Sequence, residues 1–154
     1  MIDRVLVVCV GNICRSPMAE ALLRARLGHR AGFQVASAGL SALAGHPADP
    51  HAVALLAERG IDLSSHRARQ LTPEFLAGAD LVVVMEQGHE DAVHRLAPQS
   101  RGKVHRIGRF GKFDVDDPYR QGRDAFADAL ALIERGISDF ERVLWPAPPG
   151  KVNG

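Results

Sequence analysis

Short apolar runs alternate along this chain with longer segments of helical periodicity. The run at residues 4–8 begins with Arg4 and continues with four apolar residues, three of them β-branched, which is typical of a strand buried on both faces of a parallel sheet. A second clear run covers residues 81–85, and weaker candidate strands cover residues 33–37 and 103–107. Because helical segments separate these runs, the pattern predicts an α/β fold with a parallel sheet.

Helices are predicted in the intervals between the strands. Ser16 and Pro17 predict the start of the first helix, with Ser16 as the N-cap and Pro17 at the first helical position. A short helix is expected to open at Thr72. The other predicted helical segments are residues 18–27, 50–59, 87–96 and 122–144, the last with apolar residues at positions 126, 130, 133, 137 and 140.

Length and composition predict a single domain over residues 1–145 and a flexible tail, rich in proline and glycine, over residues 146–154. With 19 Lys and Arg against 18 Asp and Glu, the net charge of +1 gives no reason to expect nucleic-acid binding. No apolar run approaches the ~20 residues that insertion into a membrane requires. The two cysteines form no disulfide framework and suit a reducing compartment, so we expect a cytoplasmic protein.

The loop between the first strand and the first helix carries the chemistry. Ligands bind at the carboxyl ends of strands in such sheets, and the backbone N–H groups of a tight loop and of a helix N-terminus attract anions. Gly11 and Asn12 suit a tight turn. Arg15, six residues after Cys9, can bind two oxygens of one anion, and its charge favours the thiolate form of Cys9. This placement favours a nucleophilic Cys9 over a merely buried cysteine.

The sequence VCVGNICRSP at residues 8–17 resembles the signature loop of the low-molecular-weight protein tyrosine phosphatases. Further matches to bacterial members of this family follow in the same order at residues 37–39, 66–70 and 117–119, so the resemblance covers residues 5 to 126. It implies a doubly wound, four-stranded parallel sheet flanked by helices, with a phosphate-binding loop after the first strand.

The resemblance also implies an enzyme that hydrolyses phosphotyrosine in proteins and releases phosphate. Cys9 would attack phosphorus and form a cysteinyl-phosphate, while Arg15 and the N–H groups of the loop would hold the phosphoryl oxygens. The loop residues in question are Val10, Gly11, Asn12, Ile13 and Cys14. Neither a cofactor nor a metal ion is expected.

A general acid is needed to protonate the leaving phenolate, whose pKa is near ~10. Asp114, Asp116 and Asp117 stand together, and their spacing alone does not choose among them. The resemblance implies Asp117, because the family places its acid in the Asp-Pro-Tyr motif. The same side chain would then activate water in the second half-reaction.

Supporting roles follow from the same resemblance. Ser16 would donate a hydrogen bond to the Cys9 thiolate, and Ser37 with His66 would hold Asn12. Cleft-lining roles are implied for Tyr119 and, on the opposite wall, for Leu40. Cys14 would serve as a redox partner that forms a reversible disulfide with Cys9.

Other functions are open at this point. Arsenate reductases are similar in this loop, but no cysteine follows Cys14, so only a reduction that uses external thiols is compatible with the chain. Arginine phosphatases tend to carry Thr at the position of Ile13. A phosphate sensor without catalysis would need neither the nucleophile nor the acid. Residues 37–43 are similar to bacterial members that act on tyrosine autokinases controlling exopolysaccharide, which makes such a kinase the expected partner.

Overall fold

The computed structural model describes residues 2–147 and contains one four-stranded sheet. All neighbouring strands are parallel, in the order β2-β1-β3-β4. Each of the four predicted strands is confirmed, with bounds that differ by one or two residues from the prediction. The strands are β1 (Arg4–Cys9), β2 (Gln34–Gly39), β3 (Leu81–Val84) and β4 (Val104–Arg106). Most of the tail predicted to be flexible, residues 148–154, lies outside the described residues.

Helices connect the strands and cover the sheet. The predicted helices are confirmed: α1 (Arg15–Leu27), α2 (Pro50–Ala57), α3 (Pro73–Gly78), α4 (Gln87–Leu96) and α5 (Arg123–Leu144), with a 3₁₀ turn at Pro98–Ser100. Asp49 caps α2 by accepting from His51 N, and Thr72 caps α3 by accepting from Phe75 N. Among residues 2–147, no helix combines the length and the apolar character that crossing a bilayer requires.

The predicted start of α1 is wrong. Cys14 is the N-cap residue and the helix begins at Arg15, so Ser16 and Pro17 already lie inside its first turn. The Ser16 hydroxyl does not cap the helix because its oxygen contacts the sulfur of Cys9 and the amide of Asn12 instead. The tertiary hydrogen bonds of the loop therefore override the local preference of Ser16 for the N-cap position.

Alternate residues of the central strand β1 pack into two separate core clusters. Val5 and Val7 face the larger cluster, which includes buried residues of α1, α2 and α5. Leu6 and Val8 face the second cluster, which includes buried residues of α3 and α4. The sheet is thus covered on both faces, as the predicted doubly wound fold requires. The predicted apolar stripe of α5 is buried at Phe126, Leu130, Ile133, Ile137 and Phe140.

The strand order predicts a functional site at the carboxyl ends of the central strands. The chain leaves β1 for β2 on one side and later adds β3 and β4 on the other side, so the order reverses between β1 and β3. Ligands of open α/β sheets bind outside the carboxyl ends of the strands at such a switch point. The loop that follows β1 and the residues that follow β3 therefore frame the candidate site.

Candidate active site

The loop at residues 10–14 is held by hydrogen bonds to its carbonyl groups. The carbonyls of Cys9, Val10 and Gly11 accept from the backbone N–H groups of residues 40, 41 and 43 at 2.9, 2.9 and 3.1 Å. The Asn12 carbonyl lies 2.7 Å from His66 Nε2, and the Ile13 carbonyl accepts from the N–H of residue 49 at 2.8 Å.

These carbonyl contacts fix the direction of the loop N–H groups. The C=O and N–H of one planar trans peptide point in opposite directions. Because five consecutive carbonyls are bound on the outer side, the N–H groups of residues 10–14 turn toward the inner side of the loop. An inward ring of N–H groups is a binding site for a tetrahedral anion. Of the predicted loop residues, Val10, Gly11, Ile13 and Cys14 line the same cleft as Cys9, whereas Asn12 is buried and does not line it.

Asn12 anchors this loop in a conformation that most residues avoid. Its φ angle is 60°, in the left-handed region, which costs roughly 1–2 kcal/mol for a residue with a Cβ atom. The side-chain amide of Asn12 donates to Ser16 Oγ at 2.8 Å and to Ser37 Oγ at 2.9 Å. Its Oδ1 accepts from Arg69 N at 2.9 Å. These bonds, together with the His66 contact, stabilise the loop, and the predicted neighbours Ser37 and His66 both lie against Asn12.

The sulfur of Cys9 faces the hydroxyl of Ser16. Cys9 Sγ and Ser16 Oγ are 2.9 Å apart, and both residues are buried. Ser16 Oγ already accepts from the amide of Asn12, so its own hydrogen is free to point at the sulfur. The Ser16 hydroxyl is therefore placed to donate a hydrogen bond to the Cys9 sulfur.

Arg15 is buried and its guanidinium contacts three residues from other parts of the chain. Its side chain is only 1% exposed. Nη1 donates to the Val115 carbonyl at 2.8 Å and to the carboxylate of Glu86, while Nη2 lies 3.7 Å from Asp117 Oδ2. Nε is buried and has no hydrogen-bond partner among residues 2–147. Among residues 2–147 the Nε–Nη2 edge forms no hydrogen bond to the protein, so it can donate to two oxygens of an anion.

Glu86 is a site residue that the sequence analysis missed. It follows β3 at the switch point, so the position of the strand end could have indicated it, but nothing local points to Arg15, which is 71 residues away. Its neighbour His89 is buried, with Nε2 3.4 Å from Glu86 Oε2. Burial, aided by the charge of Arg15, lowers the pKa of His89, so the imidazole is held neutral beside the ion pair.

The three acids that the sequence left open occupy different places. Asp114 pairs with Arg106 at 2.8 Å and does not line the cleft that contains Cys9. Asp117 lines the same cleft as Cys9, whereas Asp116 is exposed and does not line it. The Asp117 carboxylate also accepts from Tyr119 N at 3.0 Å, which orients it within its own turn. The geometry therefore favours Asp117 as the acid.

The cleft above Cys9 has a volume of about 320 Å³. Its walls contain Tyr119, as the sequence predicted, but Leu40 does not line it. Leu40 packs against the second core cluster, and residues Ser41 and Leu43 take the opposite wall instead. The full lining is Cys9, Val10, Gly11, Ile13, Cys14, Arg15, Ser41, Leu43, Asp117, Tyr119 and Arg120.

Cys14 lies in the same lining and is buried with a free thiol, as is Cys9. Burial, with the nearby charge of Asp49 as a smaller cause, raises the pKa of the Cys14 thiol far above its ordinary range. Cys14 therefore stays a neutral thiol near neutral pH. Among residues 2–147, no group of three or more His, Cys, Asp or Glu side chains is arranged to hold a metal ion.

Comparison with known proteins gives a consistent result. The family model described as low molecular weight phosphotyrosine protein phosphatase matches residues 4–145. The chain is 52% identical to a probable low molecular weight protein-tyrosine-phosphatase, EpsP, of Ralstonia solanacearum, over 89% of this chain and 92% of that protein. It also superimposes on Vibrio vulnificus Wzb in complex with benzylphosphonate, with a TM-score of 0.88 and 40% identity over 94% of this chain and 100% of that one.

A more distant structural relative has a different substrate. The YwlE arginine phosphatase from Geobacillus stearothermophilus superimposes with a TM-score of 0.78 and 34% identity, over 92% of this chain and 94% of that one. Both values are lower than those for Wzb, so the comparisons favour the tyrosine phosphatases over this relative.

Proposed function

The chain belongs to the low molecular weight phosphotyrosine protein phosphatase family, as a protein-tyrosine phosphatase of the bacterial type, and we propose that its nucleophile is Cys9. The observation that carries the proposal is the surroundings of the Cys9 sulfur. The Ser16 hydroxyl lies 2.9 Å from it, and the adjoining loop turns its N–H groups inward. A thiolate beside an anion cradle is the arrangement that phosphoryl transfer to sulfur requires.

In the first half-reaction the Cys9 thiolate attacks phosphorus opposite the tyrosine oxygen. The S–P bond forms as the P–O bond to the phenol breaks, and Asp117 gives its proton to the leaving oxygen. The loop N–H groups and the Nε–Nη2 edge of Arg15 bind the equatorial oxygens, where negative charge is concentrated. The free Nε of Arg15 supports this role, since a buried donor without a partner is costly unless a ligand satisfies it.

In the second half-reaction the ionised Asp117 takes a proton from water, which attacks the cysteinyl-phosphate. The P–S bond breaks, phosphate leaves, and the Cys9 thiolate is restored. Asp117 Oδ2 lies 3.7 Å from Arg15 Nη2, so the carboxylate is held close to the guanidinium that binds phosphate. Every step uses side chains of this chain, and none needs a cofactor.

The substrate is phosphotyrosine in proteins. An apolar Ile13 and the ring of Tyr119 border the cleft, and these suit an aromatic leaving group better than a guanidinium or free arsenate. As the specific partner we propose a bacterial tyrosine autokinase of an exopolysaccharide system, which the similarity of residues 37–43 to such phosphatases supports. We place the enzyme in the cytoplasm, because a reducing compartment keeps both thiols free.

Cys14 is assigned a protective redox role. Peroxide oxidises the Cys9 thiolate to a sulfenic acid, and the sulfur of Cys14 then displaces hydroxide, which leaves as water with the thiol proton. The resulting disulfide is reopened by external thiols. Supporting this role, both cysteines line the same cleft and both are free thiols.

The direct test is Cys9→Ser, assayed with a phosphotyrosine peptide and with p-nitrophenyl phosphate. The serine hydroxyl stays protonated, so we expect turnover to fall at least ~10³-fold while phosphate still binds in the intact cradle. Cys14→Ser is the matched control, since it changes the same atom in the same loop but leaves the nucleophile in place. Residual turnover in Cys9→Ser equal to that of Cys14→Ser would contradict covalent catalysis by Cys9.

The same assay separates the alternatives. A tyrosine phosphatase should hydrolyse the phosphotyrosine peptide with a kcat/KM well above that for a phosphoarginine peptide. Reduction of arsenate with glutathione at a higher efficiency would favour the reductase. Binding of phosphate without turnover of any ester would favour a sensor.

A further inference from the structure

A tight turn at the mouth of the cleft holds an arginine in a conformation that favours glycine. Gln121 N donates to the Pro118 carbonyl at 2.9 Å, which closes a four-residue turn with Tyr119 and Arg120 at its centre. Arg120 has a φ angle of 65°, in the left-handed region. Positive φ at this third position is typical of a type II turn, where glycine or asparagine is preferred. An arginine is thus kept where its backbone is strained.

The side chain of Arg120 lies beside the cleft and is exposed. Its guanidinium carbon is 5.1 Å from the centre of the Tyr119 ring, and both residues line the cleft with Asp117. Among residues 2–147, no carboxylate forms an ion pair with Arg120, although its neighbour in the chain, Arg123, is paired with Glu58. The guanidinium is exposed and all its hydrogen-bond donors are available.

Two other arginines near the carboxyl ends of the strands are already paired with carboxylates. Arg106 binds Asp114, and Arg15 binds Glu86. Arg120 differs from them, because within the described residues 2–147 its guanidinium has no ion-pair partner and lies beside the Tyr119 ring, which lines the cleft.

We propose that Arg120 forms a second anion-binding subsite, which binds a carboxylate or phosphate on a substrate residue next to the phosphotyrosine. The subsite rests on the proposed function, since it requires phosphotyrosine to occupy the cleft over Cys9. The Tyr119 ring positions the Arg120 guanidinium beside the entering peptide. The paired N–H donors of this planar guanidinium can bind two oxygens of either a carboxylate or a phosphate. Peptides with an acidic neighbour are therefore preferred substrates.

The test compares phosphotyrosine peptides that differ only in the flanking residue. That residue is alanine, glutamate or phosphoserine, placed on each side of the phosphotyrosine in turn, and kcat/KM is measured for each peptide. We expect wild type to prefer an acidic peptide over the alanine peptide by about 10-fold on at least one side. The glutamate and phosphoserine peptides distinguish a carboxylate from a phosphate as the preferred anion.

Three variants separate the effect of the Arg120 charge on substrate preference from any effect of the residue on the stability of the fold. Arg120→Gly relieves the backbone strain, so we expect its Tm to be no lower than that of wild type while the acidic preference disappears. Arg120→Lys should keep part of the preference, and Arg120→Glu should reverse it. Since each preference is a ratio measured within one protein, a general loss of activity does not imitate the effect.

The outcomes are distinguishable from failure of the proposed function. Hydrolysis of all peptides without preference by wild type, or with the same preference in Arg120→Gly, overturns the subsite and leaves the chemistry of Cys9 intact. Failure of wild type to hydrolyse any of these peptides contradicts the proposed function and the subsite with it.

Discussion

The buried guanidinium of Arg15 donates a hydrogen bond to the carboxylate of Glu86, a residue that follows the neighbouring strand β3. This contact uses Nη1, the nitrogen that also donates to the Val115 carbonyl, and leaves Nε and Nη2 on the opposite edge. Glu86 therefore balances the charge of a buried arginine, and under the proposed function it also fixes the edge of Arg15 that meets the phosphate.

Replacement of Glu86 by glutamine should weaken catalysis without removing it. Glutamine keeps a hydrogen-bond acceptor but loses the charge, so Arg15 is held less firmly. We expect kcat/KM to fall about 10-fold, which corresponds to about 1.4 kcal/mol of transition-state stabilisation. Chemical denaturation should also show a loss of about 1–3 kcal/mol in the free energy of unfolding. Glu90→Gln, in the helix α4 that follows Glu86, is the control, and equal effects in both variants would contradict a role for Glu86.

Asp117→Asn should slow the hydrolysis of substrates with poor leaving groups more than that of substrates with good leaving groups. Protonation of the leaving oxygen matters most for the weakly acidic phenol of tyrosine, so kcat/KM for a phosphotyrosine peptide, which reports the steps up to release of the phenol, should drop by about 10²–10⁴-fold. For p-nitrophenyl phosphate, whose phenol is far more acidic, the drop should be smaller. Asp116→Asn changes the same group one residue earlier, outside the cleft. The assignment fails if Asp116→Asn loses as much activity as Asp117→Asn.

Asn12 allows the backbone strain and the hydrogen bonds of the loop to be measured separately. Asn12→Gly removes the side-chain bonds to Ser16, Ser37 and Arg69 but accepts the positive φ angle, whereas Asn12→Ala removes the bonds and keeps the strain. We expect Asn12→Gly to be destabilised by about 1–3 kcal/mol and Asn12→Ala by about 1 kcal/mol more. Urea unfolding of both variants measures this order, and an Asn12→Ala variant as stable as Asn12→Gly would contradict it.

The sequence predicts the elements of this fold well because their signals are local. The buried strands are short apolar runs, and α5 has an apolar stripe along its whole length. The start of α1 was predicted wrongly because the Ser16 hydroxyl is bound by two partners outside the helix. A capping propensity reflects only the residues at a helix end. It does not account for the hydrogen bonds that the preceding loop requires from the same side chain.

The missed and misplaced site residues share a different cause. Glu86 reaches Arg15 across the sheet, so only the strand order reveals the contact. Leu40 was assigned to the cleft wall, but the chain from residue 40 to residue 43 pairs with the loop through its backbone. Which side chains of such a segment face the cleft depends on this pairing, and here they are Ser41 and Leu43. Three-dimensional register decides these contacts, and the sequence pattern does not encode it.

Oxidation by peroxide should be reversible in wild type and irreversible in Cys14→Ala. Without Cys14, the sulfenic acid on Cys9 has no neighbouring thiol and is oxidised further. Because burial raises the pKa of Cys14, its thiolate is scarce near neutrality, and closure of the disulfide should accelerate as the pH rises above neutral. Activity recovered with a thiol reductant, and the mass of the modified protein, report the outcome. Equal recovery of both proteins removes Cys14 from this role.

His89 should make the stability of the protein depend on pH on the acid side of neutrality. Burial and the Arg15 charge lower the pKa of His89, so the folded protein holds this imidazole neutral at a pH where the unfolded chain, with a pKa near ~6.5, takes up a proton. The stability that the neutral imidazole confers is therefore present above that pH and is lost as the pH falls through the lower, folded pKa.

The measurement is the free energy of unfolding in urea, taken at intervals from about pH 7 to about pH 5, for wild type and His89→Gln. Glutamine cannot titrate, and its oxygen can still accept from the Glu86 N–H, which His89 Nδ1 accepts at 3.3 Å. We expect the wild-type curve to fall more steeply toward acid, so that the difference between the two proteins shrinks. His105, whose pKa burial also lowers, is common to both and cancels in that difference. Parallel curves would show that protonation of His89 is not linked to unfolding.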